Sequence, residues 1–210
     1  AMIRALSGEA SIQIRDWHLF HRANALDSIA PHLNLGNLKA PWAHPRGVLD
    51  GIALRIRNSS ADLHASLAPE GMIESLIFEV LEQIRVESNC PEEFKGSKKN
   101  TQDQFIAWMQ QFISTGGVEG SIGLLLITIF LTVWMRLNNQ PTPQLMQDIV
   151  EVTRAGLAEN MGPLLVQLKA NRHNQEIYAR TVYEVINLVS GLIEQEYRNN
   201  PSIRTKRKNQ

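Results

Sequence analysis

The residues whose types and spacing could do chemistry are concentrated between Arg46 and Glu87: Arg46, Asp50, Arg55 and His64, then Glu82, Arg85 and Glu87. Projection at 100° per residue places Glu87 near the middle of an apolar stripe formed by Met72, Ile73, Leu76, Ile77, Val80, Leu81 and Ile84, with Glu82 and Arg85 on the opposite side. A carboxylate on a core-facing stripe requires a partner, and a guanidinium suits the task because it donates in a planar fork. Folding the two helical stretches antiparallel about a turn near residue 65 sets Arg46 level with Glu87 and predicts an ion pair between them. Two readings stand: a structural ion-pair set at a helix junction, or a cluster with a docking or active role.

The remaining chemistry is sparse. His18 and His21 are three residues apart and could share a helical face, with His32 and His44 elsewhere in the same part of the chain, but no carboxylate stands at ligand spacing beside the pair. There is no phosphate loop of the G-x-x-x-x-G-K-[ST] type, no H-E-x-x-H, no G-x-S-x-G and no C-x-x-C. Cys90 is the single cysteine, so no internal disulfide is available. Met72, Met109, Met135, Met146 and Met161, with Trp108 and Trp134, read as adaptable core fillers. No catalytic, cofactor-binding or metal-ligating residue is expected in the chain itself.

The elements that must position the charged cluster are two amphipathic helices. Val48, Leu49, Ile52, Ala53 and Ile56 mark the first, and the stripe from Met72 to Ile84 marks the second, with Pro69 suited to its first turn. Pro91 and Gly96 break the polar stretch that follows, which predicts a linker over residues 91–100. Thr101 is placed to cap a helix ending at Gly116-Gly117. Residues 120–135 then run uncharged and read as a buried central helix, since about 1.5 Å per residue over sixteen residues falls short of the roughly 30 Å hydrocarbon core. Thr142 and Pro143 open a further helix, Gly162-Pro163 interrupts it, and a final helix covers about 174–198. The expected fold is mainly α: a helical bundle in two lobes, with a minor β element near the N-terminus. Its parts are an N-terminal helical region with a short strand (1–90), the linker (91–100), a helical lobe (101–200) and a basic tail (201–210).

Composition narrows the partners. The 210 residues are 43% hydrophobic and carry 21 basic and 21 acidic side chains, so no general attraction to nucleic acid or anionic membrane is expected. The absence of a secretory pattern at the start and the lone cysteine suggest a cytoplasmic protein.

The Arg46–Glu87 block also resembles the amino-terminal domain of the cobaltochelatase subunit CobT. The resemblance rests on Arg46-Gly47, Asp50, Ala53-Leu54-Arg55, His64, Leu67-Ala68-Pro69 and the ending Glu82-Gln83-x-Arg85-x-Glu87. Upstream, residues 3–8 and 11–14 resemble a short strand that precedes the block in that family. The chain has Ser59-Ser60 where the family pattern has a His-Asp pair, and no D-x-S-x-S of the von Willebrand A type, so an amino-terminal piece of a longer protein is expected. The resemblance implies a non-catalytic adaptor in ATP-dependent cobalt insertion into a corrin ring. Its partners would be an AAA+ ATPase subunit and a large catalytic chelatase subunit that between them handle ATP and cobalt, with self-association also open. Arg46, Asp50, Arg55, His64, Glu82, Arg85 and Glu87 are the implied interaction positions. The alternatives are a maturation chaperone of the AAA+/von Willebrand A kind with a different client, and a helical scaffold.

Overall fold

The computed structural model describes residues 2–15, 18–21, 24–25 and 30–199. The fold is mainly α, as the periodicity predicts. Helix α1 (Met2–Ser7) buries Ile3 and Leu6 and ends at Gly8, whose φ of +77° is the left-handed conformation that glycine adopts without a Cβ penalty. Residues 3–7 are therefore helical where the resemblance implied a strand. Three short strands follow as an antiparallel meander: β1 (Gln13–Arg15), β2 (His18–His21) and β3 (Asn24–Ala25), with Ile14 opposite Leu19 and Phe20 opposite Ala25. His18 and His21 thus lie on a strand rather than on a common helical face. Two 3₁₀ turns, Pro31–Leu33 and Leu35–Lys39, bring Leu33 and Leu35 into the core.

Helix α2 (Pro45–Asn58) opens with proline at its first position and buries Val48, Ile52, Ala53 and Leu54. A short helix α3 (Ala61–Ser66), capped by the Ser60 hydroxyl, leads to α4 (Met72–Ser88). Pro69 lies ahead of α4, whose N-cap is Gly71. From Ile77 to Glu87 every residue of α4 is buried, polar ones included. Helix α5 (Lys95–Ser114) begins inside the expected linker, and Thr101 is a buried interior residue of it rather than a cap. Residues 95–100 are drawn into the helix because they pack on α2: a Cβ on Gly47 would lie 2.3 Å from the Asn100 carbonyl oxygen.

Helices α6 (Ser121–Asn138), α7 (Gln147–Ala170) and α8 (Gln175–Asn199) complete the chain. In the resulting four-helix set, α4 and α7 each pack on both α6 and α8. Helix α6 is long and apolar enough to cross a membrane, but 56% of it is buried inside the fold, against the other helices. Gly162-Pro163 does not interrupt α7. Although proline removes one hydrogen bond, at a cost of about 3 kcal/mol in a helix interior, Leu157, Met161, Leu164 and Leu168 keep one buried apolar face continuous across it.

Two apolar clusters result. The larger joins α4, α5, α6, α7 and α8, and the smaller joins α1, Leu33, Leu35 and α2 with Val86 and Cys90 at the end of α4. Helix α4 contributes to both.

Gly47→Ala is expected to destabilise the protein by about 1–3 kcal/mol, because its Cβ meets rigid backbone of α5. Gly191→Ala, in the open interior of α8, is expected to stabilise by about 0.5–1 kcal/mol. Urea denaturation of both variants checks the pair of signs.

Candidate functional site

The polar side chains of α4 form three groups, around Glu79, Glu82–Arg85 and Glu87, and Asp50 of α2 forms a fourth, each tying its helix to another segment. Glu79 accepts from Arg55 Nη2 at 3.1 Å and pairs with His64 Nε2 at 2.5 Å, joining α4 to α2 and α3. The His64 ring also stacks on Phe78, centroids 4.7 Å apart. Burial pulls the Arg55 guanidinium below its ordinary pKa, while the charges of Glu82 and Glu79 oppose that shift. Arg55 Nη1 is buried without a hydrogen-bond partner among the described residues.

Glu82 and Arg85 form a bidentate pair, with Nε donating to Oε2 at 2.7 Å and Nη2 to Oε1 at 2.8 Å, and their side chains are only 4% and 2% exposed. Arg85 donates further to the carbonyls of Asn58 (2.7 Å) and Arg172 (3.1 Å), closing the C-terminal end of α2 and the α7–α8 turn onto α4. Ser59 Oγ donates to Glu82 Oε1 at 2.6 Å and accepts from Gln175 Nε2 at 3.1 Å. Arg85 also lies over the ring of Tyr178, whose hydroxyl donates to the Leu81 carbonyl at 2.9 Å. Burial, with Glu82 nearby, pushes the Tyr178 phenol well above its ordinary pKa. With three further groups bonded to it, the Asn58 and Arg172 carbonyls and the Ser59 hydroxyl, this pair meets the condition under which a buried ion pair is tolerated.

Glu87 Oε1 accepts from Gln83 Nε2 at 2.8 Å and lies 3.3 Å from His32 Nε2. Gln83 also donates to the Gly51 carbonyl, and a Cβ on Gly51 would meet Leu33 at 2.7 Å and Glu87 Oε1 at 3.1 Å. Asp50, fully buried, accepts from Arg46 Nε at 3.0 Å and from Asn100 Nδ2 at 2.8 Å, which fixes α2 to α5.

The expected Arg46–Glu87 pair is therefore replaced by two others, Arg46–Asp50 and His32–Glu87. The reason is the helix crossing. Gly51 and Arg55 meet Gln83 and Glu79 with the antiparallel offset of a hairpin, but Asn58 and Ser59 bond to Val86 and Glu82 rather than to the first turns of α4, and α3 takes up the chain where a tight turn near residue 65 was expected. Glu82 and Arg85 are buried rather than on an outer face, because α2 and the α7–α8 turn cover that side of α4. Of the seven implied interaction positions, Asp50, Arg55, His64, Glu82, Arg85 and Glu87 have side chains occupied between helices, and Arg46 alone is mostly exposed, at 59%. Glu79, Gln83, His32, Asn58, Asn100 and Gln104 belong to the same network and were not anticipated. The spacing Glu79-Gln83-Glu87, four residues apart on one helical face, was the signal for two of them, Glu79 and Gln83; His32 reaches the network only through the fold. Gln104 clamps its segment, donating to the His32 carbonyl at 2.6 Å and accepting from the His44 amide at 2.7 Å.

Among the described residues, no group of three or more His, Cys, Asp or Glu side chains is placed to share a metal ion. The arrangement binds helices to one another. Its motif residues are the ones whose resemblance to a known family can be tested over the whole chain, and the family model described as cobalamin biosynthesis protein CobT matches residues 4–209. The chain belongs to the CobT family. The match extends well past the first ninety residues on which the resemblance was recognised, so α5–α8 are CobT-family structure too. Membership of CobT carries involvement in cobalamin biosynthesis. No curated protein and no solved structure matches the chain. The Ser59-Ser60 departure has a defined structural use in this member of the CobT family: Ser59 joins the Glu82 pair, and Ser60 caps α3.

Arg85→Ala is expected to cost about 3–5 kcal/mol, because it leaves Glu82 buried and unpaired, whereas Glu82→Leu/Arg85→Met should cost less than the single truncation. Equilibrium unfolding of the two variants measures the difference. Cys90, near the same end of α4, gives a pH test. Burial, the largest cause, raises its thiol to about 11, so the folded state holds the proton more tightly than the unfolded chain. Its contribution to stability is complete below the unfolded value near 9 and is lost as pH rises towards 11. Replacement by alanine should flatten the stability profile in that window, as read by denaturation midpoints at pH 8–11.

Proposed function

We propose that the chain is a non-catalytic adaptor of an ATP-dependent cobaltochelatase, the complex that inserts cobalt into a corrin ring. The single observation that carries this reading is the CobT-family match over residues 4–209. An AAA+ ATPase subunit would supply the conformational work, and a large catalytic subunit would hold the macrocycle and form the metal–nitrogen bonds, with ATP and cobalt bound by those partners. The whole complex would work in the cytoplasm.

The geometry supports a transmitting role in one respect. Glu79, Glu82, Arg85 and Glu87 tie α4 to α2, to α3, to the Pro31–Leu33 turn and to the α7–α8 turn, so displacement of one helix strains bonds to the others. Packed elements joined in this way move as units rather than deforming continuously.

Size-exclusion chromatography of the chain with the AAA+ subunit of the complex, with and without ATP, tests the reading. A nucleotide-dependent complex is expected, together with loss of cobalt insertion when the chain is omitted from a reconstituted reaction. No complex in either condition, with insertion proceeding in its absence, would overturn it.

A further inference from the structure

At the end of the bundle remote from the Glu82–Arg85 pair, two grooves flank the C-terminal half of α8. One, of about 400 Å³, is walled by Ile122 and Leu125 of α6, Val152 and Leu157 of α7, and Leu192 and Ile193 of α8. The other, of about 220 Å³, lies between Met72, Ile73 and Glu74 of α4 and Ile193, Glu194 and Tyr197 of α8. Ile193 belongs to both, so the grooves form one belt across α4, α8, α6 and α7. Two of the most exposed large apolar side chains of the described residues sit on this belt, Met72 at 80% and Val152 at 76% exposure. The larger groove is lined mainly by apolar surface and the smaller one equally by polar and apolar surface, and a grooved surface of this kind is the form of a docking site for an amphipathic helix.

Charge selects the occupant. The segments that build this end, residues 67–78, 118–127, 147–157 and 188–199, contain seven Asp or Glu and two Arg, in a chain whose total charge is zero. Glu74 and Glu194 line the smaller groove, Glu194 in an exposed pair with Arg198 at 3.4 Å, and Glu196 lines the larger. Opposite charge around an apolar contact steers association and rejects like-charged partners. We infer that this end of the bundle is a docking surface for an amphipathic helix of a partner protein, with an apolar face seated in the grooves and basic residues flanking it. The surface is defined by its own chemistry and does not depend on which subunit of a chelatase supplies the helix.

The test uses the full chain and two fluorescent eighteen-residue helical peptides with the same leucine face, one with lysine and one with glutamate on the other face. Anisotropy titrations are expected to show saturable binding of the leucine/lysine peptide, with at least tenfold weaker binding of the leucine/glutamate peptide. Met72→Ser/Val152→Ser and, separately, Glu74→Lys/Glu194→Lys should each weaken the first peptide at least tenfold. Val166→Ser, an exposed position on α7 outside the groove lining, should not. Absence of binding, equal binding of both peptides, or equal affinity in all variants would overturn the inference. So would a wild-type dimer in sedimentation that Met72→Ser/Val152→Ser dissolves, because the occupant would then be a second copy of the chain.

Discussion

The structure depends on the pairing of charged and polar side chains buried around α4. A seventeen-residue helix that carries Glu79, Glu82, Gln83, Arg85 and Glu87 in its buried part can occupy the centre of a fold only if each of those groups finds partners there. The partners come from α2, α3, the Pro31–Leu33 turn and the turn between α7 and α8. The contacts bring together segments far apart in sequence, and they fix where those segments lie as well as holding them. Removing one member leaves its neighbour desolvated and unpaired, so the network specifies one arrangement of helices more sharply than apolar packing alone.

Close backbone approach works with this pairing. Gly47 lets α5 lie against α2, which brings Asn100 to Asp50, and Gly51 leaves room for Leu33 and Glu87 at the point where Gln83 reaches the Gly51 carbonyl. A side chain at either position would push apart the elements whose polar groups must meet. The apolar residues supply the bulk of the burial: one cluster gathers on α4–α8 and a smaller one on α1, α2 and the 3₁₀ turns, with Val86 and the buried neighbours of Cys90 on the second side.

Much of the helical content was legible in the sequence because the apolar period is strong. The stripe of α4, the uncharged run of α6 and the spacing Tyr178, Val182, Val185, Ile186, Val189 and Ile193 of α8 each mark a buried face. Local breaker signals were weaker guides. Pro163 sits within a helix whose apolar face continues past it, and Gly96 lies in a helix stabilised by packing against α2. The candidate cluster was legible as a set of residue types and not as a set of pairs. Arg46 was matched to Glu87 by assuming hairpin register, whereas the helices cross, and partners such as His32, Asn58 and the Arg172 carbonyl enter only through tertiary structure. Burial of Glu82 and Arg85 could not be read from one helix's projection, because it is set by how many other elements surround that helix.

If the polar groups of α4 hold both apolar clusters to one helix, the two clusters should unfold as a unit. Native-state hydrogen exchange measures this directly. The account predicts that amides of residues 48–54, 77–87 and 126–134 exchange with a common free energy equal to that of global unfolding. Exchange of residues 48–54 at a free energy well below that of 126–134, with 77–87 following only the latter, would contradict it.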